Sequence, residues 1–294
     1  MKKRSLLIGL LVFGVLGFVF FVWVYSTTVL TESPVLSDDR IALVRIEGVI
    51  LDSKDTIDEL KRYRENPAIK AILVRIDSPG GAVVPSQEIY EEIKRVRENG
   101  KKKVVSSMGT LAASGGYYIA SATDKIVANP GTLTGSIGVI MELANVENLM
   151  KKVGVESIVI KSGSHKDLAS PFRKMGEEER QILQNVMNDV HEQFIEAVSA
   201  GRGMPIEKVR SLADGRIFTG RQAKGIGLVD ELGDLQDAIR ITGVLVGIKG
   251  EPRVIETKKK FSVFDLFREQ LGTKWGSFSL TPGAIQLKYL LTLG

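Results

Sequence analysis

Residues 71–81 read Ala-Ile-Leu-Val-Arg-Ile-Asp-Ser-Pro-Gly-Gly: a run rich in branched apolar side chains, then an acid and a turn of small residues. A helical pattern follows from Ser86 to Asn99, ended by Gly100, and Lys103-Val-Val-Ser-Ser107 returns to the strand pattern. Strand, turn, helix and strand in that order predict a βαβ unit with a buried, largely parallel sheet. Working outward, Ile41–Ile46, Lys125–Ala128, Ser136–Ile140 and Ser157–Ile160 are further strand candidates. A long helix is expected from Glu177 to Ala200, because Ile182, Val186, Val190, Phe194 and Val198 recur at four-residue intervals on one face. Shorter helices are expected near 145–153 and over 205–212, 220–225 and 234–243. No internal repeat stands out. The fold class is α/β.

The 294 residues contain no cysteine and two histidines, His165 and His191. That composition excludes disulfide scaffolds, thiolate metal sites, a cysteine nucleophile and a multi-histidine metal cage. No metal or cofactor is expected. The net charge of +5 owes three charges to Lys2, Lys3 and Arg4, and no acid precedes Glu32. The remaining chain is nearly balanced and has no basic stripe interleaved with aromatics, so no nucleic-acid partner is expected.

Leu6–Tyr25 is an uncharged apolar run of 20 residues, long enough at helical rise to cross about 30 Å of hydrocarbon. It exceeds the length of a secretory h-region and lacks a small-residue cleavage site, so one uncleaved transmembrane helix is expected. Lys2, Lys3 and Arg4 keep the N-terminus cytoplasmic, and the rest of the chain then lies outside the cytoplasmic membrane. The expected organisation is an N-terminal stub and anchor at 1–31, a linker at 32–40, a catalytic domain at 41–257 and an amphipathic tail at 258–294. In the tail, Phe261, Phe264, Phe267 and Leu271 follow three lysines with helical spacing. Such a helix suits a membrane surface, the domain itself or a neighbouring subunit.

Three loops of small residues follow the strands: Asp77–Gly81, Gly109–Gly116 and Thr132–Gly138. Loops at strand ends of an open α/β sheet are where ligands sit. Neither phosphate-binding glycine motif is present. Ser114, followed by Gly115 and Gly116, stands where backbone N–H groups could hold an oxyanion. A serine nucleophile also needs a base. His165 and the adjacent Lys166 both lie in a loop after a strand candidate, so a Ser–His–Asp triad and a Ser–Lys dyad are both open.

Four motifs together resemble a known family. They are Ser-Pro-Gly-Gly at 78–81, Met-Gly-Thr-Leu-Ala-Ala-Ser-Gly-Gly-Tyr-Tyr at 108–118, Ala-Asn-Pro-Gly-Thr-Leu-Thr-Gly-Ser-Ile-Gly-Val at 128–139 and Thr-Gly-Arg-Gln-Ala-Lys-Gly-Ile-Gly-Leu-Val-Asp at 219–230. This set resembles the S49-type membrane-anchored serine proteases, the signal peptide peptidase A family in its short form, over about residues 41–247. The resemblance implies a Clp protease/crotonase-like stack of ββα units. It implies Ser114 as nucleophile, Lys166 as general base, Gly81 and Gly115 as oxyanion donors and Ser136 as the serine that positions the base. It also implies a ring-like homo-oligomer that degrades signal-peptide remnants and other short apolar peptides. A small or unbranched apolar residue is expected before the cleaved bond.

A lysine base must first lose its proton. A free lysine titrates at about 10.4, and bringing it to about 7–8 takes about 4 kcal/mol, which burial can supply. Asp167 would oppose that shift, so its carboxylate is expected to point away. Two competing functions remain: a crotonase-like acyl-CoA enzyme, and a non-catalytic membrane scaffold of the same fold.

Overall fold

The computed structural model describes residues 14–21, 39–99, 102–257 and 288–291. Residues 1–38 and 39–294 are separate units. In the first, residues 14–21 form a helix with exposed apolar side chains such as Phe18 and Phe21. The rest of the expected span at 6–25 lies outside the described residues. Among the described residues, no helix is long and apolar enough to cross a membrane.

The second unit is built on a mixed, mostly parallel sheet. Its strands are β1 (Arg40–Glu47), β2 (Ile69–Ser78), β4 (Lys103–Ala113), β5 (Lys125–Ala128), β6 (Leu133–Gly135), β7 (Ile217–Thr219), β8 (Glu231–Leu232) and β9 (Arg253–Glu256). The main path runs β7-β6-β4-β2-β1-β9, with β5 between β4 and β8. Only β6 and β7 pair antiparallel. The central strands are apolar on both faces because both faces are covered, as parallel strands require. Ala42, Val44 and Ile46 of β1 face one core, and Ile41 and Leu43 face the other.

The first core is roofed by α1 (Lys54–Glu65), α2 (Val83–Glu98), α3 (Gly115–Ser121) and α5 (Glu177–Arg202). The second is closed by α8 (Leu235–Leu245), through Ala238, Leu235 and Ile239. Shorter helices α4 (Glu147–Val153), α6 (Ile206–Leu212) and α7 (Gly220–Ile226) complete the unit. Local chemistry sets several ends. Thr219 caps α7 and Asp234 caps α8 through reciprocal hydrogen bonds, and α5 stops at Gly203, which adopts a left-handed φ of 60°.

The 71–107 βαβ unit is present, with β4 running on to Ala113. Two expected strands are not. Residues 157–160 have no regular structure, and Ile158 and Ile160 are 83% and 97% exposed. No sheet edge meets them, and an apolar β-branched run pairs only where a partner is in reach. Residues 136–139 likewise run irregularly, and Ile140 makes only an isolated bridge, to Lys288. Of the expected tail, residues 258–287 lie outside the description. Lys288–Leu290 forms β10, antiparallel to the short strand β3 (Gly80–Ala82).

Candidate active site

The site grows from the end of β4. This strand pairs with β5 through Val105–Met108 and with β6 through Leu111–Ala113. Thr132 and Thr134 donate their hydroxyls to the carbonyls of Gly109 and Ala112, both at 2.7 Å, and stitch β6 to β4. Asp77 at the end of β2 accepts from the Leu111 N–H at 3.0 Å. Ser114 is therefore delivered by a strand held on both sides.

Ser114 turns the chain from β4 into α3 with φ 53° and ψ −118°, a conformation that L residues rarely adopt. Its N–H donates to Gly135 at 2.8 Å and its carbonyl accepts from Tyr118 at 2.8 Å, so the backbone is over-determined. The side chain is buried, and Oγ has no hydrogen-bond partner among the described residues. A buried hydroxyl left unpaired carries a cost, and at a strained turn it marks a site rather than a packing residue. Gly115 supplies the first N–H of α3, which no intrahelical carbonyl can reach.

Backbone accounting also identifies Gly81. Ile50 donates to the Gly80 carbonyl at 2.9 Å and accepts from the Ala82 N–H at 2.7 Å. Alternation along a strand then turns the N–H of Gly81 to the opposite side. The turn itself is tied by Ser78, whose Oγ donates to Gly48 at 2.6 Å and accepts from the Gly80 N–H at 3.1 Å. Gly80 has φ +96°, and a Cβ there would lie 2.6 Å from the Gly115 nitrogen. A Cβ on Gly115 would lie 3.3 Å from the Gly81 nitrogen. Glycines at 80, 81 and 115 thus let two loops meet backbone to backbone beside Ser114.

Ser136 follows β6 and is also buried with positive φ, 51°. Its N–H donates to Arg216 at 2.9 Å, one residue beyond the Gly135 carbonyl that holds Ser114. Lys166 lies elsewhere in exposure. Every residue from 151 to 166 is exposed, and among the described residues the Lys166 side chain makes no hydrogen bond or ion pair. No hydrogen bond joins it to Ser114 or Ser136. His165 belongs to the same segment, with Nε2 3.7 Å from Glu178. Ser114, Ser136, Gly81 and Gly115 therefore converge within one chain, whereas Lys166 and His165 stand on its surface.

The lysine loop is anchored by ions. Asp167 accepts from Lys161 Nζ at 2.5 Å and Arg173 Nε at 2.7 Å, so its carboxylate is engaged away from Lys166. Arg173 also pairs with Glu179 at the start of α5. Hydrogen bonds from Arg173 hold Asp167 well below the usual carboxylate range and bring Glu179 down to about 2. A depressed carboxyl stabilises the fold above its unfolded value and loses that contribution as pH falls through its folded value. Acidification from about pH 4 to about 2 is therefore expected to loosen residues 161–179 before the sheet. Pepsin digestion followed by mass spectrometry would read this. In Arg173→Ala, cleavage there is expected to begin at higher pH, and an unchanged onset would refute the anchor.

The 219–230 motif carries no reacting group and acts as a buttress. A Cβ on Gly220 would lie 2.1 Å from the Asn129 carbonyl, and Asp230 accepts from the Ile126 N–H at 2.7 Å and pairs with Arg202 at 2.5 Å. Tyr117, directly behind the Ser114 turn, donates to the Leu228 carbonyl at 2.9 Å. Sequence reasoning passed over Ile50, Gly80 and the 288–291 segment. The apolar Tyr289-Leu-Leu291 triplet was the available signal for the last.

The comparisons with known proteins agree with this geometry. Residues 97–249 match the model of peptidase family S49. A Synechocystis protein named as a protease is 47% identical over 220 residues, which are 74% of this chain and 78% of the relative. An Enterococcus faecium protein named as signal peptide peptidase SppA is 36% identical over 234 residues, 73% of this chain and 67% of the relative. The chloroplastic serine protease SPPA of Arabidopsis thaliana is 35% identical over 217 residues, 69% of this chain and 32% of the relative. With its nucleophile turn, paired glycine loops and these relatives, the chain belongs to peptidase family S49.

Proposed function

We propose that the chain is a serine endopeptidase in which Ser114 is the nucleophile and Lys166 the general base. The observation that carries this reading is the buried, unpartnered Ser114 Oγ on a strained strand-to-helix turn, flanked by N–H groups of Gly81 and Gly115. In the proposed reaction Oγ attacks the peptide carbonyl carbon, and its proton passes to the neutral Lys166 amine. The two N–H groups hold the oxygen that becomes negative. The C–N bond then breaks, the leaving amine takes the proton from Lys166, and water releases the acyl group by the same route. Ser136 positions the base.

Lys166 reaches a serine from the surface of a neighbouring copy. The exposure of residues 151–166, with Ile158 and Ile160 bare, supports this reading, since such apolar surface marks an interface. A closed ring of head-to-tail contacts completes each site with a base from the next chain. The fold is read as the Clp protease/crotonase type, carried on one N-terminal membrane helix with the domain outside the cytoplasmic membrane. Its substrates on this reading are cleaved signal peptides and other short apolar peptides. A fluorophosphonate probe tests the core of the proposal: it is expected to label the full chain in detergent and not the Ser114→Ala variant. Equal labelling of both would overturn it.

A further inference from the structure

Residues 288–291 lie in a groove between two backbone edges. On one side the Lys288 N–H and carbonyl bond Ile140, at 3.4 and 3.1 Å. On the other, Tyr289 is opposite Gly81 and Leu290 opposite Gly80, and the Leu291 N–H donates to the Pro79 carbonyl at 2.9 Å. Because Lys288 spends both backbone groups on Ile140, those of Tyr289 face Gly81. The Tyr289 carbonyl oxygen and the Gly115 nitrogen lie around one point, 2.1 and 2.6 Å from where a Cβ on Gly80 would be. This carbonyl is thus presented to the loops that flank Ser114, as the carbonyl of a peptide to be cleaved would be.

The Tyr289 side chain fills a pocket of its own shape. Its ring stacks on Tyr118 at 5.3 Å and 18° and tilts against Phe194 at 4.8 Å. Tyr118 in turn packs on Tyr90 at 4.9 Å. The hydroxyl donates to the Val190 carbonyl at 3.2 Å, and the Gln87 side chain lies beside the hydroxyls of both Tyr289 and Tyr118. Gln87 is itself fixed, donating to Gln193 at 2.9 Å. The pocket offers aromatic walls for a ring and polar groups for its hydroxyl.

We propose that this groove binds the substrate backbone, and that the pocket now holding Tyr289 is the subsite for a tyrosine side chain just before the cleaved bond. The proposal rests on the serine-peptidase reading and replaces the small or unbranched apolar residue expected from the sequence. A small residue there would leave the aromatic walls unfilled and the Val190 carbonyl without its donor. On this view Lys288–Leu291 is the chain's own peptide, seated in competition with others.

The test is a binding measurement, independent of turnover. Full-length Ser114→Ala/Tyr289→Ala in detergent is titrated with fluorescein-labelled Leu-Lys-Tyr-Leu-Leu and with its Phe and Ala counterparts at the tyrosine position. The tyrosine peptide is expected to bind at least about thirtyfold tighter than the alanine peptide and about fivefold tighter than the phenylalanine peptide. Gln87→Leu is expected to bring tyrosine and phenylalanine within about twofold of each other. Ser114→Ala with Tyr289 retained is expected to bind every peptide more weakly, because its own segment competes. Should Tyr289→Ala melt early, the tyrosine peptide is expected to restore the melting temperature, and Tyr289→Phe serves as the folded variant for the titrations. Equal binding of the three peptides, or no binding by a protein that the fluorophosphonate still labels, overturns the subsite. Selective tyrosine binding without fluorophosphonate labelling supports the subsite and refutes the peptidase reading instead.

Discussion

Mixing Ser114→Ala protein with Lys166→Ala protein is expected to regain activity that neither variant has alone. Each single loss is expected to lower kcat by about 10⁴–10⁶, because a nucleophile and its base act as a unit. The burial of Ser114 and the exposure of Lys166 in one chain motivate the mixture. If each base serves the next subunit's serine, a random ring of the two variants carries both native partners at about a quarter of its interfaces. Peptide cleavage after subunit exchange is then expected to approach about a quarter of the native rate. Exchange must be followed separately, by energy transfer between differently labelled chains. Full exchange with no activity would show that each site is completed within a single chain. His165→Ala is the companion variant, expected to retain most activity, and its inactivity together with an active Lys166→Ala would favour a triad.

Gly81→Ala is expected to be nearly as damaging, for a different reason. An added Cβ would fall 2.0 Å from the Ile50 carbonyl oxygen and 2.6 Å from its carbon and nitrogen. Those atoms are backbone, held by two hydrogen bonds to Gly80 and Ala82, so they cannot swing aside as a side-chain tip would. The strand Gly80–Ala82 must shift, and the N–H aimed at the substrate carbonyl shifts with it. Loss of one oxyanion donor lowers kcat by about 10²–10³. Gly131→Ala, with nothing within 4 Å of its added Cβ, is the matched control and is expected to retain activity. Kinetics paired with thermal melting separate the two effects. An active, folded Gly81→Ala protein would remove Gly81 from the oxyanion site.

The parts of the fold that were legible in the sequence are those where side-chain pattern and burial coincide. β1, β2 and the start of β4 read as continuous apolar runs because helices cover both faces of the sheet. The helix Lys54–Glu65 escaped notice because only Leu60 and Tyr63 are buried among its many charges. β7, β8 and β9 have two to four residues each, too few to show a period. Residues 157–160 have strand chemistry without a strand, because sequence reports apolarity and not the presence of an edge to pair with. At the site, glycine-rich loops at the ends of β2 and β4 pointed to Ser114 and Gly81. Their mutual approach depends on Ile50, Gly80 and the left-handed turns at Ser114 and Ser136, which are set by tertiary contacts between distant segments.

The contrast between the two halves of the proposed dyad has a further meaning. The serine stands at the tip of a strand clamped by β5, β6 and the threonine hydroxyls, so its aim is inherited from the most stable part of the molecule. The lysine sits on a segment with no buried residue between 151 and 166, where the only strong tether is a salt-bridged acid next door. Accuracy is thus invested in one partner and availability in the other. A peptidase built this way follows mass action: diluted chains carry aimed but unpowered serines, and crowding them in a membrane plane switches them on together.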